Sequence, residues 1–175
     1  MVTNGGINES PIMQRRLLLA GTLLASFGPL AAQPERAMLT GQTLDGRPYD
    51  LRQDEGKVVL VFFWSTDCPV CRDKMPELRA NFEGWRDKGF QLLAVNVDKS
   101  IEAVRTYEAI LNRVVPPAQR FPWLWRGSSV HRDSFGSLTH VPTSFLLDRK
   151  GRPVRQFRGR IEAELWDDIA ELVLA

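Results

Sequence analysis

A chain of 175 residues with 23 lysines and arginines against 21 acids carries a formal charge of only +2, so its composition encodes neither a basic nucleic-acid coat nor an acidic solvated tail. With 43% hydrophobic residues, it has enough apolar material for one packed domain once any leader is set aside. Two cysteines rule out a densely cross-linked scaffold. With only two histidines, set nine residues apart, they also argue against structural zinc, which needs about four ligands at closer spacing.

Residues 1–12 are polar, and Met13 reads as an alternative start. Residues 13–32 have the pattern of a secretion signal. Arg15 and Arg16 precede an apolar stretch of 11 residues from Leu17 to Phe27, then the Gly28-Pro29 break and the small pair Ala31-Ala32. That stretch is short for a membrane span, which takes about 20 apolar residues. The expectation is a leader at 1–32, a folded domain at 33–175 and a periplasmic or otherwise exported location, with a retained N-terminal membrane anchor as the alternative. Outside the cytosol disulfides persist and have to be managed.

Met38 to Thr43 reads as a strand, with Asp45-Gly46 as a hairpin turn and Arg47 to Leu51 as its return. Val58 to Trp64 is an unbroken β-branched and aromatic run, the pattern of a strand buried on both faces. Ser65-Thr66-Asp67 is a turn, and a helix is expected from 69 to about 88, with Met75, Leu78, Phe82 and Trp85 at helical spacing. Pro76 falls inside it and predicts a kink. Gln91 to Val97 is the next buried strand. Ser100 caps a helix carrying Ile101, Val104, Tyr107 and Leu111, which Pro116-Pro117 terminates. Residues 118–138 show no periodicity and read as irregular, with Trp123 and Trp125 either in the core or on an apolar patch. Ser144–Leu147 and Val154–Phe157 form a second hairpin around Arg149-Lys150-Gly151. A final helix spans Ile161 to Leu174, with Leu165, Ile169 and Leu172 inward. The arginines from Arg149 to Arg160 read as solvated loop charges.

The chemistry concentrates in Cys68-Pro69-Val70-Cys71, at the junction of the buried strand and the first helix. Two thiols at this spacing can close a small disulfide ring and reopen it. As a structural cross-link, so short a loop would remove little unfolded-state entropy. A helix N-terminus favours a thiolate through its unpaired N–H groups and dipole, and such sites lower a thiol pKa to about 3.5–7.5. Cys68 at the helix start is therefore the expected nucleophile, and Cys71, one turn inside, the resolving thiol.

Phe63 to Pro76 resembles the active-site segment of thioredoxin-fold proteins, in particular the exported TlpA/ResA/CcmG-like thiol-disulfide oxidoreductases. The resemblance extends to Gly89–Asp98 and to Val141-Pro142-Thr143-Ser144-Phe145-Leu146-Leu147-Asp148-Arg149-Lys150-Gly151. It implies an α/β thioredoxin fold, a central mixed β-sheet flanked by helices, here with an N-terminal β-hairpin extension. It also implies a cis Val141-Pro142 bond facing the cysteines, with Trp64 as a structural or substrate-binding residue. The only redox group it calls for is the Cys68–Cys71 disulfide, with no metal. The implied partners are protein thiols and disulfides, with a membrane thiol relay as electron donor and possible service in cytochrome c biogenesis. A monomer without nucleic acid is expected. Four positions depart from the pattern or could tune it. Phe62 stands where thioredoxins bury an aspartate. Lys74, with Asp73 beside it, stands where a glutamate is usual. Asp67 is an acid next to the nucleophile, and His140 lies by the proline loop. Two other readings compete, a Cu(I)-delivering thiol pair and a thiol peroxidase; for the latter, Val61 occupies the place of the required proline.

Overall fold

The computed structural model describes residues 1–3, 5 and 35–175, so the leader pattern at 13–32 lies outside the described residues. Among these, eight strands and three helices follow in chain order: β1 (Leu39–Gln42), β2 (Pro48–Asp50), β3 (Val58–Trp64), α1 (Pro69–Trp85), β4 (Phe90–Asn96), α2 (Ile101–Leu111), β5 (Trp123–Trp125), β6 (Arg132–Asp133), β7 (Thr143–Leu147), β8 (Pro153–Arg158) and α3 (Glu164–Leu174). Among the described residues no helix is long and apolar enough to cross a membrane.

The main sheet has the order β5-β4-β3-β7-β8. β3 runs parallel to β4 and antiparallel to β7, while β5 is parallel to β4 and β8 antiparallel to β7. All seven residues of β3 are buried because the strand is central and both its faces are covered. Its alternation divides the interior in two. Val58, Leu60, Phe62 and Trp64 face Cys71, Met75, Leu78 and Phe82 of α1, Val104 of α2, and Leu165, Ile169 and Val173 of α3. Val59, Val61 and Phe63 face the opposite way, onto Leu39 and Tyr49 of the small sheet β2-β1-β6 and Leu51 just after it. The mixed α/β architecture is that of the thioredoxin fold, and the N-terminal hairpin serves as the second covering layer.

α1 passes through Pro76 and ends at Trp85; a 3₁₀ turn, Arg86–Lys88, completes the expected span. Gly89 then takes φ 87°, which a side chain would strain, and a Cβ there would also meet the Arg149 guanidinium at 3.0 Å.

Two segments differ from the sequence reading. Residues 118–138 are not irregular throughout: β5 extends the main sheet, β6 pairs with β1, and a Thr43–Leu124 bridge joins the two sheets. Strands of three and two residues are too short to show a period, and pairing with distant strands decides them. Trp123 is in the core, 8% exposed, and Trp125 is half-buried. The last helix starts at Glu164 rather than Ile161, and its buried row is Leu165, Ile169 and Val173, with Leu172 only half-buried.

Candidate redox site at the strand ends

Parallel strands end on the same side, so the turn after β3 and the turn after β4 lie together, with Trp64 opposite Asn96 in the register. The β3 turn leads into α1, whose N-cap is Cys68 and whose first helical residue is Pro69, where no N–H is needed. The Cys71 N–H donates to Cys68 Sγ at 3.1 Å, and the first turn carries no acidic residue to oppose the dipole. Cys68 and Cys71 form a disulfide, with 5.2 Å between their Cα atoms. Cys68 is half-buried, whereas Cys71 is 0% exposed, so Cys68 is the more accessible of the two.

Asp98, just beyond β4, ties the cysteine turn down. Its carboxylate accepts the Ser65 hydroxyl and, at 3.1 Å from both oxygens, the Thr66 N–H. Asn96 Nδ2 donates to it at 3.0 Å, and its own N–H donates back to Asn96 Oδ1 at 2.8 Å. Trp125 Nε1 caps the Asp98 carbonyl at 2.7 Å. Burial alone would raise the Asp98 pKa; the hydrogen bonds from Ser65, Thr66 and Asn96 outweigh it and hold the group below the usual carboxylate value. Nothing in the periodicity of the sequence marks this residue. The signal that could have found it is position, an acid at the carboxyl end of the strand parallel to the cysteine-bearing one.

Across the site lies the loop before β7. The Val141–Pro142 bond is cis, and the Val141 carbonyl oxygen is 3.8 Å from Cys68 Sγ. Pro142 is buried, and its carbonyl accepts the Gly159 N–H at 2.8 Å. His140 is exposed, with Nδ1 2.7 Å from the Thr139 hydroxyl. Beside this loop a groove of about 600 Å³ is lined by Asp98, Trp125, Arg126, His140 and Val141, among others. Its Arg126 wall is fixed from behind. The guanidinium pairs with Asp133 at 2.8 Å through two nitrogens, and His131 Nε2 reaches the same carboxylate at 2.9 Å. Burial raises the Asp133 pKa, but the bonds from His131 and Arg126 prevail and bring it to about 2. The sequence reading missed this triad, because its members fall in the segment taken as irregular.

The remaining sequence candidates divide. Trp64 is fully buried, 4.8 Å from the Trp123 ring and 5.5 Å from Tyr107, so it packs as a core residue. Phe62 is likewise 0% exposed. Asp67 is exposed, and its N–H donates to Ser65 Oγ at 3.1 Å. Lys74 neither points into solvent nor stands as a lone cation. It is 9% exposed, and its ammonium is 2.8 Å from Glu77, whose other oxygen accepts Trp166 Nε1 at 2.6 Å. Desolvation raises the Glu77 pKa, but these two donors hold it lowered. Asp73 turns outward to Arg160 at 3.0 Å. Among the described residues, no group of three or more His, Cys, Asp and Glu is placed to hold a metal ion.

Residues 34–157 match the family model described as the AhpC/TSA family. The thiol-disulfide oxidoreductase ResA of Bacillus thuringiensis is 27% identical over 116 residues, 66% of this chain and 63% of the relative's length. The match therefore spans less than two thirds of that protein. The protein of the same name in Halalkalibacterium halodurans is 26% identical over 132 residues, 75% of this chain and 71% of the relative. Among solved structures, a thiol:disulfide interchange protein of the thioredoxin family from Chlorobium tepidum superposes with a TM-score of 0.65 at 25% identity. That match covers 82% of this chain and 99% of the other.

Proposed function

We infer the activity from descent and geometry together: the chain belongs to the AhpC/TSA family, and its cysteine pair makes it a thiol-disulfide oxidoreductase acting on protein substrates. One observation carries this reading. A half-buried Cys68 caps a helix and is linked to a fully buried Cys71, beside the Val141 carbonyl and an open groove. The relatives named ResA support it.

In the reduced protein the Cys68 thiolate, favoured by the Cys71 N–H and the helix dipole, attacks one sulfur of a substrate disulfide. A Cys68–substrate bond forms, the substrate disulfide breaks, and the departing thiolate takes a proton from water. Cys71 then gives its proton to solvent and attacks Cys68 Sγ, which releases the second substrate thiol and closes the Cys68–Cys71 ring. Two electrons pass from the pair to the substrate, and a second dithiol must return them. A membrane thiol relay is the proposed donor, which fits the export pattern at 13–32, and the protein is proposed to act as a monomer with no resident cofactor. The extended backbone at Val141 is the proposed edge on which a substrate strand lies. His140 and Asp67 border that surface, and Lys74 acts on the pair only through its Glu77 partnership.

The peroxidase reading loses ground at Val61. That residue pairs with Leu93 and Phe145 in the middle of the sheet, where a proline would break the ladder. The test is to mix the reduced protein with insulin, with hydrogen peroxide and with Cu(I) in parallel. Disulfide reduction that consumes the Cys68–Cys71 dithiol, with slow peroxide turnover, is expected. Fast peroxide turnover, or tight Cu(I) binding with no insulin reduction, would overturn the assignment.

A further inference from the structure

A second cavity, of about 380 Å³, lies between α1, α2, the β1–β2 turn and the start of β5. Its size falls at the low end of small-ligand sites. Arg79 of α1 lines it and is only 7% exposed. Among the described residues its guanidinium donates no hydrogen bond and pairs with no carboxylate. The Trp123 ring lies 5.9 Å from it, and burial pulls the Arg79 pKa down. The two other arginines of the wall are already committed. Arg47 pairs with Asp45 at 2.8 Å, and Arg120 donates to the carbonyls of Asn112 and Val115. Glu108, also on the wall, does not compensate Arg79, since the cation acting on it is Arg105.

A guanidinium with so little contact with water and no anion is unfavourable, and a ring face balances only part of the cost. Its planar fork fits a carboxylate through two parallel hydrogen bonds. A phosphate dianion would call for more than one unpaired guanidinium, whereas Arg47 is paired with Asp45 and Arg120 is turned to the carbonyls of Asn112 and Val115. The rest of the wall is mixed: Leu111, Val115, Phe121 and Trp123 offer an apolar face to a hydrocarbon body, while Thr43, Asp45, Glu108 and Gln119 are polar.

We propose that this cavity binds a small organic monocarboxylate, its carboxylate on Arg79 and its apolar body against Leu111, Phe121 and Trp123. Arg79 lies eight residues beyond Cys71 on α1, roughly 12 Å along the axis at about 1.5 Å per residue. The site is therefore separate from the redox groove and independent of the activity assigned above.

The experiment titrates the full chain with benzoate, benzamide and inorganic phosphate, read by amide NMR shifts, and repeats the benzoate arm with Arg79→Leu and Arg79→Lys. Saturable benzoate binding is expected to shift the amides of Leu111, Phe121 and Trp123. Benzamide should bind at least tenfold more weakly, as should benzoate to Arg79→Leu, with Arg79→Lys between and insulin reduction unchanged in both variants. Equal binding of benzoate and benzamide, tighter binding of phosphate, shifts mapping elsewhere, or no saturation would overturn the proposal. Should Arg79→Leu fail to fold, the benzoate–benzamide contrast and the shift map of the unmodified protein decide it.

Discussion

The two sides of the disulfide are held by different means. On the side of the nucleophile, Asp98 fixes the Ser65–Cys68 turn through a hydroxyl and a backbone N–H, and is itself braced by Asn96 and Trp125. On the facing side, the loop at 139–142 brings the Val141 carbonyl to 3.8 Å from the sulfur and leaves Thr139 and His140 exposed. A charged clamp in a half-buried site holds an attacking atom in place. An exposed loop beside a groove can be varied without disturbing that atom. The contrast predicts that changes on the Asp98 side alter rate and changes on the His140 side alter substrate choice.

The largest expected effect lies at the cysteines themselves: Cys68→Ser should abolish insulin reduction, and Cys71→Ser should stop turnover while leaving the first exchange intact. Next comes the clamp. Asp98→Ala strips the turn of its acceptor, and a hydrogen bond to a charged group contributes about 1.5–3 kcal/mol. A loss of roughly 2–3 kcal/mol in urea unfolding is expected, with insulin reduction slowed roughly 10- to 100-fold by the misplaced sulfur. Asp98→Asn should recover part of both. If Asp98→Ala reduced insulin at the normal rate, the division between the two sides would fail.

Acid should act on the same scaffold. Asp133 has an ordinary value of 3.8 and a folded value of about 2. A depressed carboxylate contributes stability above its unfolded pKa and loses it as pH falls through the folded one. Roughly 2 kcal/mol should therefore disappear between about pH 4 and pH 2. Asp98, also depressed, adds a loss of the same sign. Urea midpoints measured across that range should fall less steeply in Asp133→Asn. The smallest effect is reserved for His140→Ala, within about 0.5 kcal/mol in stability. Its expected signature is a raised KM for a protein substrate at unchanged kcat; the reverse split would place His140 on the rate side.

What could be read from the sequence follows from which forces act locally. β3 is a long apolar run, and α1 carries Met75, Leu78 and Phe82 at helical spacing, so the cysteine junction between them was visible. β5 and β6 owe their existence to β4 and β1, far away in the chain, and no local pattern announces them. Asp98 becomes a clamp only because β3 and β4 are parallel and in register at Trp64 and Asn96. The Lys74–Glu77 pair is local, three residues apart on α1, but its bracing by Trp166 needed α1 and α3 to meet. Arg79 breaks the apolar pattern of α1 and would have been read as exposed, yet it is buried against Trp123, a residue of the segment that showed no pattern.

The unequal exposure of the two sulfurs is the central claim, and trapping measures it directly. Reduced Cys71→Ser and reduced Cys68→Ser are each mixed with oxidised insulin, quenched with acid, and their adducts weighed by mass spectrometry. The expected result is a stable insulin adduct on Cys68 in the first variant and almost none in the second. An adduct that accumulates through Cys71 in Cys68→Ser, with none in Cys71→Ser, would contradict it.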